Sequence, residues 1–287
     1  MNLQTDSPIS NLKYGLYVVS TPIGNLDDIS LRALKVLSNS DYILCEDTRV
    51  TKKLLTKYKI KSNLISNHKF NEKKNLIKVI NILKDDKIVS LVSDAGTPTI
   101  SDPGNILIKE CIKSRINVIP IPGPSAPVTA LSITGFSEKY YFYGFFPEKN
   151  SEIKKNFQIL SKLDSSIVFF ISAKKLTKSV DIIKKYFLDR EILVAKEITK
   201  FYEEFFRYKI EELDTKSINL KGEITLVISN KINFNKTSNN LDESDKKKIK
   251  KLIKKLSIKE IIDLIKEGKD ISKKVIYNYC LKLKNEK

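Results

Sequence analysis

The residues best suited to chemistry lie in two short segments, each of which follows a run of apolar residues. The first, Cys45–Arg49 (CEDTR), holds two carboxylates and a guanidinium, and the second, His68–Asn71 (HKFN), holds the single histidine of the chain. A carboxylate or a neutral imidazole can take a proton from a hydroxyl group, and an arginine can bind a phosphate in bidentate fashion. These segments predict proton transfer beside a phosphate-bearing substrate, with Glu46, Asp47 and His68 as candidate acceptors.

Each candidate also has a structural alternative. Asp47 is placed to cap a helix that begins at Arg49, because aspartate commonly accepts N–H bonds at helix N-termini. His68 can equally be an exposed or capping residue, and Asn71 can orient it or bind a base of the substrate. Two acids and an arginine exceed what a helix cap needs. We therefore predict a catalytic set formed by the following residues: Glu46, Asp47, His68 and Asn71.

Three further loops contain glycine, proline and small polar residues: Ser20–Leu26, Ser93–Gly104 and Pro120–Ala126. None of them has the GxxxxGK[ST] pattern of a P-loop, and no GxGxxG follows the first apolar run, which argues against the usual nucleotide sites. Gly96 and Gly123 allow the backbone to approach a flat ligand closely, while the prolines stiffen the loops. Rigid, weakly charged loops of this kind favour a nucleoside-like ligand over a triphosphate.

The second of these loops also carries two aspartates. We predict that Asp94 binds hydroxyl or amino groups of the ligand, the alternative being a turn-starting role. Asp102 precedes Pro103, and because proline favours the first position of a helix, we predict that Asp102 caps the next helix.

The elements that must position these loops alternate along the first part of the chain. Short, β-branched apolar runs predict strands at Gly15–Ser20, Tyr42–Cys45, Asn63–Ser66, Ile88–Ser93 and Asn117–Ile121. Apolar residues spaced three or four apart predict helices at Ile29–Leu37, Arg49–Tyr58, Asn71–Leu83 and Gly104–Lys113. Such alternation implies a parallel sheet covered by helices on both faces. Because ligands bind at the carboxyl edge of such a sheet, we expect the loops to converge there.

A second α/β region follows. It has predicted strands at Tyr140–Phe146, Ile167–Ile171, Ile192–Ala195 and Glu223–Ser229, helices at Asn150–Leu163 and Lys175–Phe187, and a weaker strand pattern at Phe201–Tyr208. Polar, unpatterned residues then predict a linker, before three lysine-rich helical patterns at Lys246–Leu256, Ile258–Glu267 and Lys273–Lys284. The sequence thus predicts two α/β domains, 1–122 and 123–230, a linker at 231–245 and a small basic helical bundle at 246–287.

The overall composition is that of a globular protein, with 41% hydrophobic and 30% charged residues in 287 positions. No apolar run is long enough for a membrane span and no secretory signal is recognisable, so we expect a cytoplasmic protein without membrane contact. Three separated cysteines and one histidine argue against a disulfide framework and against a metal site. We expect reduced cysteines and no bound metal.

Positive charge is concentrated near the C-terminus. The chain has a net charge of +18, and residues 231–287, with 17 lysines and 8 acidic residues, carry half of it. A local excess of this kind favours a nucleic-acid surface, the alternative being an ordinary solvated face. Lys273, Lys274 and Tyr277 share one turn of the last predicted helix, where they are expected to contact phosphates and to stack on a base.

Four motifs carry a resemblance to a known family. TPIGNLDDISLRAL, CEDTR, SDAGTPTISDPG and PIPGPSAPVTALS resemble the motifs of the tetrapyrrole-methylase-like superfamily and, within it, those of the ribosomal RNA small subunit methyltransferase I family. The resemblance implies two α/β domains with S-adenosylmethionine in the cleft between them, usually in a homodimer. It further implies 2′-O-methylation of the ribose of a cytidine in the decoding centre of 16S rRNA, within the 30S ribosomal subunit.

The resemblance also assigns residues to the cofactor. These are Pro22, Gly24, Asp94, Ala95, Gly96, Thr97, Pro98, Ser125, Ala126, Thr129 and Ala130. Contacts with RNA are predicted for Arg49 and Lys196, in addition to the three residues of the last helix. The chain departs from the family pattern at four positions that we expect to alter RNA contacts in the second domain: Ile171, Lys174, Lys175 and Lys196.

Two other functions are compatible with the same fold. One is methylation of a tetrapyrrole ring (a corrinoid or a porphyrin), against which the CEDTR loop and the basic C-terminal helices argue, since a corrinoid pocket needs neither. The other is a non-catalytic rRNA-binding assembly factor. Ile171, which stands where the family pattern has an acid, is the feature that favours this last alternative.

Overall fold

A computed structural model describes residues 12–215, 220–231, 241–253, 255–266 and 271–285. The chain divides into two compact units, Met1–Lys231 and Ile232–Lys287. Most of the predicted linker, residues 232–240, lies outside the described residues. Within the described ranges, no helix is both long and apolar enough to cross a membrane.

The first sheet of the larger unit is parallel and has the strand order β3-β2-β4-β1-β5. Its strands are β1 (Gly15–Val19), β2 (Tyr42–Cys45), β3 (Asn63–Ser66), β4 (Ile88–Leu91) and β5 (Val118–Ile121), and its helices are α1 (Leu31–Ser38), α2 (Thr48–Lys57), α3 (Glu72–Lys84) and α4 (Asn105–Lys113). One apolar cluster joins the sheet to α1 and α2, and a second joins it to α3 and α4. The predicted parallel sheet with helices on both faces is confirmed, which explains the continuous apolar character of its strands.

The order of the strands creates a crevice at the carboxyl ends of β1 and β4. These two strands are neighbours, but the chain leaves β1 toward β2 on one side and leaves β4 toward β5 on the other. Thr21 and Gly96, in the loops that follow β1 and β4, exchange two backbone hydrogen bonds of 2.9 and 3.0 Å. A ligand site is therefore expected between these loops, at the topological switch point of the sheet.

The second sheet has the strand order β6-β7-β10-β8-β9, with β6 and β7 parallel and the other pairs antiparallel. The strands are β6 (Tyr140–Phe145), β7 (Ser166–Ser172), β8 (Glu191–Lys196), β9 (Glu204–Lys209) and β10 (Glu223–Ile228), and the helices are α5 (Ala126–Ser132), α6 (Asn150–Leu160) and α7 (Ala173–Phe187). One face packs on α6 and α7, and the other on α5. Helix α5, which directly follows the first sheet, thus belongs to the core of the second.

A buried arginine ties the second sheet to its loops. Arg190, at the start of β8, is only 1% exposed. Its guanidinium donates to the carbonyl oxygens of Ser229, Ser161 and Leu163 at 2.8–2.9 Å and lies 5.2 Å from the ring centre of Phe187. The planar guanidinium presents its N–H donors in a fixed fork, so it can serve several acceptors at once from one position.

The smaller unit contains three helices, α8 (Glu243–Leu252), α9 (Ile258–Lys266) and α10 (Lys273–Asn285). Ile249, Ile261, Ile265, Ile276 and Cys280 are buried together in its own apolar core. The helical bundle predicted from the lysine and isoleucine spacing is therefore present, and the lysines that the structure describes in it lie outside its apolar core.

Candidate active site

A cavity of about 470 Å³ opens at the crevice between the two sheets of the larger unit. Asp94, Gly96 and Thr97 from the loop after β4 form one wall, together with the start of α5. The opposite wall comes from β7 and β10, through residues that include Ile171 and Thr225. The volume lies in the range of ordinary small-molecule sites.

The loops around this cavity are held by short contacts. The Thr97 hydroxyl shares a hydrogen bond of 3.0 Å with the hydroxyl of Ser20 and donates one of 3.1 Å to the carbonyl oxygen of Pro124. Gly96 has a φ of +82°, which favours glycine, and a Cβ atom on Gly123 would lie 2.9 Å from the Cβ of Ser20. The two glycines therefore let the three loops approach each other, whereas the sequence predicts that they let the backbone approach a ligand.

The side chains around the cavity fit a nucleoside that carries an amino-acid tail, as S-adenosylmethionine does. Most of the wall is apolar, with Ile23, Ile100 and Phe170 among its residues. The carboxylate of Asp94 is exposed at one side, and Ser125, at the N-terminus of α5, makes no side-chain bond to its helix. The charged residues in the wall supply both signs needed by a zwitterionic tail: Glu148, Lys175, Lys200 and Glu223.

Six of the residues predicted to bind the cofactor line this cavity: Asp94, Ala95, Gly96, Thr97, Ser125 and Ala126. Five others lie outside its wall: Pro22, Gly24, Pro98, Thr129 and Ala130. Gly24 instead packs on the segment after β8, where an added Cβ would lie 2.5 Å from Cγ of Lys200. Ala130, a residue of α5, is fully buried where this helix packs on the second sheet. The structure thus gives Gly24 and Ala130 packing roles, because the first loop and α5 both contact the second sheet region.

Two of the four departures from the family pattern are also part of the cavity. Ile171 and Lys175 line it, and the ammonium group of Lys175 donates to the carbonyl oxygen of Glu148. We predict from the sequence that these positions alter RNA contacts. The structure places both residues in the wall of the first cavity, because β7 ends there.

A second, more open cavity of about 500 Å³ adjoins the first. It is lined by Glu46, Asp47, Thr48, Arg49, Ser66, His68, Lys69, Phe70 and Asp94. Asp94 belongs to the walls of both cavities, and its Oδ1 accepts a 2.9 Å hydrogen bond from the backbone N–H of Asp47. The two segments richest in chemical groups therefore face a space that shares one carboxylate with the candidate cofactor cavity.

Asp47 acts as a helix cap in this arrangement. Its carboxylate accepts the backbone N–H of Arg49 at 2.8 Å and pairs with the Arg49 guanidinium at 2.6 Å. These hydrogen bonds lower the pKa of Asp47 to about 2. A carboxylate held in this way is a poor proton acceptor at neutral pH, so the structure favours the capping alternative over the predicted catalytic role. Arg49 itself is 86% exposed in its side chain and remains accessible at the rim.

Glu46 has the properties that Asp47 lacks. Burial raises its pKa, the charge of Asp94 raises it further, and His68 acts in the opposite direction. Among the described residues its carboxylate has no hydrogen-bond partner. A half-buried, unpaired carboxylate with a raised pKa is the best proton acceptor of the predicted set.

His68 is oriented as a hydrogen-bond donor. Its Nδ1 accepts the backbone N–H of Phe70 at 3.2 Å, which in the neutral ring leaves the proton on Nε2. The backbone N–H of His68 donates to Oδ1 of Asn71 at 2.7 Å, and Nδ2 of Asn71 donates to the carbonyl oxygen of Ser66 at 3.1 Å. Asn71 therefore positions the histidine loop, while the imidazole presents an N–H rather than a free acceptor.

The prediction that Asp102 caps a helix is wrong. Helix α4 begins after Gly104, and its first N–H groups, those of Ile106 and Leu107, donate at 3.0 and 3.1 Å to the buried carboxylate of Glu72. Asp102 lines the first cavity instead. Burial, with a further contribution from the charge of Glu46, raises its pKa to about 6. The sequence does not indicate that Asp102 lines the cavity, because Glu72, thirty residues earlier in the chain, accepts the N–H groups of α4 in its place.

The predicted RNA-binding residues fall into two groups. Lys196 is only 5% exposed and its ammonium pairs with Glu204, its neighbour on β9, so its prediction as a surface contact is wrong. Residues of β8 belong to the apolar clusters on both faces of the second sheet. Lys273, Lys274 and Tyr277 are exposed on the first turns of α10. Within the part of the chain that is described, no group of three or more His, Cys, Asp or Glu side chains is arranged to hold a metal ion.

Comparisons with known proteins identify the family of the chain. The family model described as tetrapyrrole (corrin/porphyrin) methylases matches residues 15–214. A protein of Rickettsia prowazekii named ribosomal RNA small subunit methyltransferase I is 41% identical over 278 residues, which are 95% of this chain and 98% of that protein. One of the same name from Thermotoga maritima is 44% identical and covers 75% of this chain and 98% of its own.

Solved structures with the same fold include a uroporphyrin-III C-methyltransferase from Thermus thermophilus. It superimposes with a TM-score of 0.54 at 12% identity, over 75% of this chain and 97% of its own. That crystal structure is a complex with S-adenyl homocysteine. At this level of identity the likeness concerns the fold, which is that of the described α/β unit.

Proposed function

The chain belongs to the ribosomal RNA small subunit methyltransferase I family of the tetrapyrrole methylases, and on that premise we propose that it methylates the ribose 2′-hydroxyl of a cytidine in the decoding centre of 16S rRNA. It is an S-adenosylmethionine-dependent methyltransferase. The finer assignment, to a ribose, to a cytidine and to the decoding centre within the 30S subunit, is the proposal.

The main support for this proposal is that Asp94 lies in the walls of both cavities. A methyl donor bound in the first cavity can therefore meet a methyl acceptor bound in the second. The second cavity offers a carboxylate with a raised pKa, Glu46, an imidazole N–H from His68 and two cations, Arg49 and Lys69. A sugar hydroxyl flanked by phosphates suits this set, because it needs a proton acceptor and charged partners together.

S-adenosylmethionine, when bound, supplies a methyl group on a positively charged sulfur. We propose that S-adenosylmethionine is bound by the six predicted residues that line the first cavity, in the loop after β4 and at the start of α5. Glu46 accepts the proton of the ribose hydroxyl, an effect typically worth about 10²–10⁴-fold. His68 donates its N–H to an oxygen of the nucleotide, and the rigid loops keep the partners aligned and exclude water, which is usually the larger contribution.

The remaining contacts are with the ribosomal substrate. Arg49 and Lys69 lie at the rim of the second cavity and bind adjacent phosphates, and Lys273 and Lys274 bind the rRNA backbone elsewhere. Such a substrate places the enzyme in the cytoplasm. We also propose that the protein is a homodimer. Light scattering tests this by measuring the mass in solution, which should be twice the chain mass of 32.9 kDa.

The test of the reaction is transfer of tritium from methyl-labelled S-adenosylmethionine to three acceptors: 30S subunits, free 16S rRNA and uroporphyrinogen. Nuclease digestion and nucleoside chromatography of the RNA then identify the product. Label in 2′-O-methylcytidine from 30S subunits supports the proposal. Label in a base-methylated nucleoside or in uroporphyrinogen contradicts it, and absence of transfer to all three would favour an assembly factor.

A further inference from the structure

An exposed phenylalanine stands at the mouth of the second cavity. Phe70 lines that cavity, and yet 91% of its surface is exposed. Its ring meets that of His68 only by an edge contact, with 6.1 Å between centroids and 65° between the planes. An aromatic ring left in water beside a cavity offers a large apolar face to whatever binds there.

The loop that carries this ring is rigid. The backbone N–H of Phe70 donates to Nδ1 of His68, and the amide of Asn71 closes the turn through His68 and Ser66. Asn75 adds a 2.7 Å bond from its side-chain Nδ2 to the same carbonyl oxygen of Ser66. Since the turn is fixed by four hydrogen bonds, the exposure of Phe70 is imposed by the fold before any ligand binds, and little conformational entropy is lost on binding.

The surroundings of the ring point to a nucleotide. Lys69 and Arg49 line the same cavity and are exposed, so the aromatic ring shares this cavity with two cations. Aromatic rings combined with cations are the usual means by which proteins hold unpaired nucleotides, through base stacking and phosphate contacts. The exposed pair Phe201 and Tyr202 differs from Phe70, because these two rings pack on each other and line neither cavity.

We infer that Phe70 is the stacking platform for the base of the nucleotide whose ribose is methylated, and that this nucleotide is unpaired when it binds. The inference rests on the proposed function and extends it to base recognition. The stacked base holds its ribose above Glu46 and His68, and the adjoining phosphates reach Lys69 and Arg49. Phe70 therefore acts in substrate binding and has no part in holding the methyl donor.

The test compares three variants of the full-length protein with the wild type: Phe70→Ala, Phe70→Leu and Phe70→Tyr. Stacking on one base is worth about 1–3 kcal/mol, which corresponds to roughly 5- to 150-fold. We expect kcat/KM for 30S subunits to fall by that factor in Phe70→Ala and in Phe70→Leu, and to be kept in Phe70→Tyr. Affinity for S-adenosylmethionine, measured by calorimetry, should not change in any of them.

Ile77→Ala is the matched control. Ile77 is an apolar residue of α3, is 75% exposed and lines neither cavity, so its loss should leave kcat/KM unchanged. Wild-type activity in Phe70→Leu would overturn the inference, because any apolar residue would then suffice, and so would a loss of methyl-donor affinity in Phe70→Ala. A wild-type protein that makes no ribose-methylated product would instead overturn the proposed function, and this inference with it.

Discussion

The backbone N–H of Asp47 donates a 2.9 Å hydrogen bond to the carboxylate of Asp94. The two residues follow β2 and β4, which are adjacent in the sheet although 47 positions separate the aspartates. This contact joins the wall of the candidate cofactor cavity to the loop that carries Glu46 and Arg49. Because Asp94 also lines both cavities, ligands bound in the two cavities would lie beside the same carboxylate.

The assignment of Glu46 as proton acceptor predicts unequal effects in two neighbouring acids. Glu46→Gln should lower kcat by about 10²–10⁴-fold without changing affinity for the methyl donor. Asp47→Asn should keep activity within about threefold, because asparagine caps a helix as well as aspartate does. Steady-state methylation of 30S subunits measures both. A large loss of activity in Asp47→Asn, with activity kept in Glu46→Gln, would indicate that Asp47 is the proton acceptor.

The raised pKa of Asp102 predicts that the stability of the protein depends on pH. Its pKa is raised in the folded protein from 3.8 to about 6, so folding binds a proton between these values and the ionised carboxylate destabilises the fold above them. Asp102→Asn removes that penalty. The free energy of unfolding of the variant, relative to wild type, should therefore increase between about pH 4 and pH 7.5 by up to about 3 kcal/mol.

Urea denaturation at the two pH values measures this difference. A comparison at a single pH would not isolate it, because the substitution also changes the free energy of unfolding by an amount that does not depend on pH. A difference between the two proteins that stays constant with pH would show that Asp102 ionises as an ordinary surface acid.

The buried guanidinium of Arg190 predicts a large loss of stability on truncation. Arg190→Ala leaves several carbonyl oxygens without their donor, and the free energy of unfolding should fall by about 3–5 kcal/mol. Arg32→Ala, on the exposed face of α1, is the control and should change it by less than about 0.5 kcal/mol. Chemical denaturation of both variants provides the comparison, and equal values would contradict the structural role given to Arg190.

Contacts between α10 and RNA phosphates predict a change in salt dependence. In the double variant Lys273→Ala, Lys274→Ala, the slope of log affinity for 30S subunits against log salt concentration should become shallower by about 1.4–1.8, since each phosphate contact contributes about 0.7–0.9. The charge-preserving pair Lys273→Arg, Lys274→Arg should keep the wild-type slope. Filter binding at several salt concentrations measures the slopes, and an unchanged slope in the alanine variant would place the RNA surface elsewhere.

The positions of the strands and loops could be predicted from the sequence because the evidence for them is local. A β-branched apolar run marks each strand, and the loop that follows it must lie at one edge of a parallel sheet. For that reason Asp94, Gly96, Glu46 and His68 could be placed near one another without coordinates. The strands of the second sheet could also be predicted from their apolar runs, down to the weak pattern at Phe201–Tyr208 that overlaps β9. Their mostly antiparallel pairing was not predicted.

The roles of individual acids and lysines could not be predicted, because they depend on contacts between distant segments. Asp102 is free to line the cavity only because Glu72 caps α4 from another helix. Lys196 looks like a surface cation in the sequence, but it is buried and pairs with Glu204, its neighbour on β9. Asp47 and Glu46 are adjacent in the sequence, and only the pairing of Asp47 with Arg49 separates a structural acid from a candidate base.

A crystal structure of the protein with S-adenosylmethionine would show where the methyl donor binds. We expect electron density for the donor in the cavity formed by Gly96, Thr97, Ser125 and Ala126, with its methyl group directed toward Asp94 and the neighbouring Glu46 and His68. A donor bound at another place, with this cavity closed by side chains, would rule out the proposed site.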